Sequence, residues 1–112
     1  MKRPERVKVL GKRITISYLS GAPLDDGLNG ECDVDKQQIL IRDGQPLESE
    51  QDTVLHELLH AVDEAMGLKL KESQVKGAAT GLLAVLKDNP GLTAYLRKIR
   101  AQDPPPRHRD SA

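Results

Sequence analysis

Apolar positions along the chain recur with two different periods. From Val7 to Leu19 they alternate: Val7 and Val9, then Ile14, Ile16 and Tyr18 set against Thr15 and Ser17, with a turn at Gly11-Lys12 between the two runs. A period of two belongs to a strand with one buried face, so a hairpin is expected here. Ser20 to Gly30 collects Gly, Pro, Asp and Asn and reads as a loop. A second hairpin is expected from Glu31–Asp35 and Gln38–Arg42 around a turn at Lys36-Gln37, with Ile39 and Ile41 on one face. Asp43-Gly44 then closes a short sheet of three or four strands, antiparallel or mixed.

The period changes at Pro46. In residues 48–66, Val54, Leu58, Val62 and Ala65, flanked by Leu55, Leu59 and Met66, form the wide apolar stripe of a helix. Glu48, Glu50 and Asp52 lie where a helix N-terminus favours negative charge, and Gly67 is a natural stop. A second helix is expected from Glu72 to Lys87, with Val75, Ala78, Ala79, Leu82 and Leu86 facing inward. Its Gly77 and Gly81, four apart, lower helix propensity but let another helix approach closely. Asn89 can cap a third helix, with Pro90 at its first position, over about residues 90–101. The expected fold class is α+β, a short N-terminal sheet followed by three helices. Residues 1–6, charged and carrying Pro4, are expected to be a loose leader, 7–101 the domain, and the Pro-rich 102–112 a disordered tail.

A chain of 112 residues builds one core. Without Phe or Trp, that core is made of Leu, Ile, Val and Ala. Seventeen basic residues balance seventeen acidic ones along the chain, so no nucleic-acid partner is expected. No apolar run is long enough to span a bilayer, and the opening MKRPERVKVL does not resemble a signal peptide, so no membrane association is expected. The lone Cys32 excludes an internal disulfide and suits a reducing compartment. The expectation is a cytoplasmic protein. Tyr18 and Tyr95 are expected to serve packing.

His56-Glu57-Leu58-Leu59-His60 has the HExxH pattern and falls inside the first expected helix. Residues i and i+4 of a helix lie one above the other, so both imidazoles can reach one ion. Zn²⁺ accepts such nitrogens at about 2.0–2.1 Å. Glu57, turned about 100° from His56, borders that ion and can take a proton from a metal-activated water. A shuffled copy of this chain contains the pattern about once in two hundred times, so its helical context adds weight. A catalytic zinc site wants a third protein ligand, and Asp63, Glu64, Glu72, Asp88 and His108 are open to it. Glu72 starts the next helix after a short connection, so the chain can fold back and present it to the metal. It could equally complement the helix dipole. Asp63 is better placed to orient an imidazole. Gln74 shares the inward phase but is a poor zinc ligand.

The stretch HELLHAVDEAMGL followed by ESQVKGAATGLLAVLKDNPGL resembles the small phage-type ImmA/IrrE and minigluzincin metallopeptidases, over about residues 30–97. The resemblance implies a zincin-like fold and a bacterial or phage zinc endopeptidase acting on a protein. It makes His56, His60 and Glu72 the ligands of Zn²⁺ and Glu57 the general base. It also implies that an extended peptide pairs along the strand Gln38–Arg42, by edge addition. The alternative is a metal-binding but catalytically silent protein-interaction module of the same fold.

Overall fold

The structure, a computed structural model, describes residues 2–20 and 27–98. Four strands come first: β1 (Arg6–Val9), β2 (Lys12–Leu19), β3 (Gly30–Asp33) and β4 (Gln38–Arg42). Three helices follow: α1 (Leu47–Met66), α2 (Glu72–Asp88) and α3 (Pro90–Arg97). The arrangement is α+β, with one mixed sheet. The expected third helix reached about 101, and residues 99–101, like the expected tail, lie outside the described residues.

The sheet order is β1-β2-β4-β3. β1 pairs antiparallel with β2 and β3 antiparallel with β4, while β2 and β4 are parallel. The β1–β2 turn falls on Leu10-Gly11, one residue before the expected place, with φ of 49° and 90°. Positive φ at both central residues matches the twist of a two-residue hairpin. β4 is an interior strand, hydrogen-bonded on both sides. The expected peptide pairing along Gln38–Arg42 is therefore corrected: β2 and β3 already occupy both edges of that strand.

Alternation gives the sheet one apolar face. Register aligns Val7 with Ile14, Ile16 with Ile39, and Ile39 with Cys32. Val9, Ile14, Ile16, Ile39, Ile41 and Ala61 form the buried core, with Val54, Leu58 and Val62 of α1 packed against it. Ala65 and Met66, expected in the same stripe, are exposed. α2 lies against α1 and does not touch the sheet. Its inward residues are Val75 and Ala79, both fully buried. Both were expected inside, and Leu86 is half-buried; Ala78 and Leu82, also expected inside, are exposed, because the buried line follows only one edge of the expected stripe.

The leader is tied down, contrary to expectation. Arg6 already belongs to β1, and the Glu5 carbonyl accepts the Ile16 amide at 2.8 Å. Tyr18 Oη donates to the Pro4 carbonyl at 2.7 Å, and the Arg3 guanidinium lies 4.1 Å over the Tyr18 ring. Arg3 also donates to Asp43 (2.9 Å) and to Glu50 (3.1 Å). Glu50 is only 7% exposed, and a buried carboxylate needs a cation. That requirement, invisible in local composition, holds the first residues in place.

Candidate metal centre

α1 shows three faces, set by its 3.6-residue period. Val54, Leu58 and Ala61 meet the sheet. Asp52 points towards α2, where its carboxylate accepts the Thr80 hydroxyl at 3.1 Å. His56 and His60 share the third face, with Thr53 and Glu57 on the same side of the helix. Gly67 ends α1 in the left-handed conformation (φ 63°), its amide donating to the Asp63 carbonyl. The Asp63 carboxylate accepts the Leu70 amide at 3.2 Å. Asp63 thus shapes the turn between the helices, and the imidazole-orienting role expected of it is corrected.

That turn brings the first residue of α2 back to the histidines. Glu72 Oε2 lies 2.8 Å from His56 Nε2, and Glu72 Oε1 lies 3.0 Å from His60 Nε2. The two Nε2 atoms are 3.2 Å apart. His56, His60 and Glu72 are the group that could hold a metal ion among the described residues. Four-coordinate zinc with bonds of about 2.0–2.1 Å places neighbouring donors about 3.3 Å apart, close to these separations. Hydrogen bonding accounts for the triangle less well. With both rings donating to the carboxylate, two N–H donors are left facing each other across 3.2 Å. A cation between them gives every donor a bond. Two imidazoles and one carboxylate also leave a fourth position open, as catalytic zinc sites do. The residues present fit the ion.

The other candidates are placed elsewhere. Gln74 Oε1 accepts the Lys71 amide at 2.8 Å, so its side chain caps α2. Asp88 is at the far end of α2, Glu64 is exposed, and His108 lies outside the described residues. Neither tyrosine joins the group: Tyr18 serves the leader and Tyr95 is exposed.

Glu57 is 6% exposed, beside the histidines on a helix whose other acids reach water or a partner. Burial pushes its carboxyl above the ordinary range, and the neighbouring His56 and His60 oppose that rise. A cleft of about 590 Å³ opens over the group. Leu28, Asn29 and Gly30 form one wall, and Asp52, Thr53 and Lys76 line it from the helices.

The residues that build this wall were missed by the sequence reading, which placed Gly30 at the end of a loop. Gly30 is the first residue of β3, and it passes so close to α1 that a Cβ there would sit 2.6 Å from Thr53 Cγ2 and 3.1 Å from Glu57 Oε2. A glycine next to a strand start is the available signal of such an approach. Gln45 was missed too. Its Nε2 donates to the carbonyls of Arg42 (2.8 Å) and Asn29 (3.3 Å), and its Oε1 accepts the Ser49 hydroxyl and lies 3.1 Å from that of Thr53. One amide so ties the wall to the start of α1.

No protein-family model, no curated protein and no solved structure matches this chain.

Proposed function

We propose that this chain is a zinc-dependent metallopeptidase that hydrolyses peptide bonds in a protein substrate, akin to the ImmA/IrrE and minigluzincin enzymes. The observation that carries the reading is the convergence of His56 Nε2, His60 Nε2 and the Glu72 carboxylate beside a buried glutamate, at the floor of an open cleft. When bound, Zn²⁺ supplies a Lewis acid that polarises a carbonyl and lowers the pKa of water to about 7. His56, His60 and Glu72 hold the ion and leave one side of it open. Glu57 accepts the proton of the attacking water and returns it to the departing amine. Its raised carboxyl suits the first of these transfers, because a stronger base takes the proton of the attacking water more readily. The substrate's place is the outer edge of β3, which is unpaired among the described residues and starts at the cleft wall. There the lack of a side chain on Gly30 lets the start of that edge lie directly against Glu57, where an extended chain added to the strand would pass it. Among the described residues no helix is long and apolar enough to cross a membrane, and we place the protein in the cytoplasm.

Elemental analysis of untagged protein tests the reading. One zinc per chain is expected, and His56→Ala should lose it, because the remaining ligands cannot hold the ion against water. Glu57→Gln should keep the zinc while cleavage of an unfolded-protein mixture falls by about 100-fold or more. A full equivalent of zinc in His56→Ala would sink the metal site. A zinc-loaded parent that cleaves nothing would leave the silent interaction module.

A further inference from the structure

A helix on the surface of a monomer normally carries polar residues on its outer side. α2 does this on one side only. With Val75 and Ala79 marking the inward direction, the helical period sets Glu72, Lys76, Thr80 and Lys87 along the side nearest the cleft. Around the rest of its outer surface run Gly77, Ala78, Gly81, Leu82, Ala84 and Val85, all exposed and none charged. Polar residues appear there only at the two ends, as Ser73, Gln74 and Asp88. Leu82 and Val85 are 45% and 46% exposed. Nothing lies within 4 Å of where a Cβ would stand on Gly77 or Gly81. The close helix approach that this glycine pair permits is thus not made among the described residues. Yet each glycine costs a helix about 1 kcal/mol. α3 adds to the same end of the molecule: among the described residues it touches no element but α2, and its Leu92, Tyr95 and Leu96 are exposed.

We propose that this face docks a second copy of the chain, giving a two-fold symmetric dimer. Self-complementarity favours a like partner. The protrusions Leu82 and Val85 and the recess at Gly77 and Gly81 occupy neighbouring turns of one helix. A two-fold axis through the face sets the protrusions of each copy over the recess of the other. The area also matches. The exposed parts of Leu82, Val85, Leu92, Tyr95 and Leu96 come to about 500 Å², taking ~150–250 Å² for a large side chain. A standard interface needs about 800 Å² per partner, some two-thirds of it apolar in a homodimer. No charge in the middle of the face meets its own image across the axis. The cleft lies on the other side of α2, so the pairing leaves it open and does not depend on bound metal.

Sedimentation equilibrium of the full chain at about 100 μM, with chelator, tests this. The expected mass is twice the 12.3 kDa of one chain. Gly81→Leu fills the recess, and Val85→Glu buries a charge against its own image; each should weaken dimerisation by about 50-fold or more. Gly81→Leu should do so without loss of helix content by circular dichroism, since leucine is the better helix former and its Cβ meets nothing. Lys8→Glu, on exposed β1, should leave the mass unchanged. A monomeric parent at this concentration, its face then belonging to some other partner, overturns the proposal. So does a dimer that either Gly81→Leu or Val85→Glu leaves intact.

Discussion

Gly30→Ala adds one carbon at the tightest point of the cleft wall. The backbone of Gly30 is not among those with positive φ, so alanine suits the conformation and the whole effect is steric. The new Cβ would stand 2.6 Å from Thr53 Cγ2, about 1 Å inside an ordinary carbon contact. Thr53 cannot simply turn away. Its hydroxyl donates to the Ser49 carbonyl at 2.9 Å and lies 3.1 Å from Gln45 Oε1. Rotation forfeits a bond of about 1 kcal/mol, and forced overpacking costs about 1–3 kcal/mol. The expected loss is about 2 kcal/mol, which at ~4–8 °C per kcal/mol lowers Tm by about 8–16 °C. Thr53→Ser removes the clashing methyl and keeps the hydroxyl, at a cost near 1 kcal/mol by itself. Thermal melts of the parent, both single variants and the double variant make the cycle. The double variant should be more stable than the sum of its parts by about 1 kcal/mol or more. Because Glu57 Oε2 is the next atom met, at 3.1 Å, hydrolysis should fall in Gly30→Ala while zinc content stays at the parental level. A Gly30→Ala melt within about 0.5 kcal/mol of the parent, or strict additivity in the cycle, would refute this account of the wall.

Glu72→Ala should remove most of the stabilisation gained from zinc, while its melt with chelator changes by no more than about 0.3–1 kcal/mol, the scale of a helix-dipole acid; an undiminished zinc-dependent rise in Tm excludes Glu72 as a ligand. Burial, aided by the nearby Glu57 carboxylate, pushes the Cys32 thiol up to about 11. Metal-free protein at pH 8 should then react with iodoacetamide about 100-fold more slowly than the unfolded chain, and equal rates would contradict the burial. The same shift has a sign for stability. The folded state holds the thiol proton more tightly than the unfolded one, so this contribution is intact below pH ~9 and is lost as pH rises towards about 11. A Cys32→Ser variant should show a flatter melt-versus-pH curve over that window, and an unchanged slope counts against the shift.

Much of the secondary structure was legible because it depends on neighbours a few residues apart. Alternation marked both hairpins, and Pro90 marked the start of α3, although the cap expected of Asn89 is not made: its Nδ2 donates back to the Val85 carbonyl at 2.8 Å. The His56–His60 pair belongs to the same class. Two residues one turn apart on a single helix face each other whatever the rest of the chain does, and here their Nε2 atoms lie 3.2 Å apart. The sheet order could not be read in this way. A strand's own period says which face is buried but not which strands flank it, so nothing local showed that β4 is interior, where the resemblance had implied an edge. The inward line of α2 was ambiguous for a related reason: Ala78 and Leu82 fit the helical period as well as Val75 and Ala79, and contact with α1 chose between them. That choice, with the turn shaped by Asp63, carries Glu72 to the histidines and leaves Gln74 capping its own helix. The closeness of Gly30 to Glu57 and the pairing of Arg3 with Glu50 join residues far apart in the chain. Local periodicity therefore determined the pieces and the histidine pair of the candidate site. Only the packing of α2 and β3 against α1 decided how that site is completed, because side chains remote in sequence meet through the burial of shared apolar surface and not through any spacing along the chain.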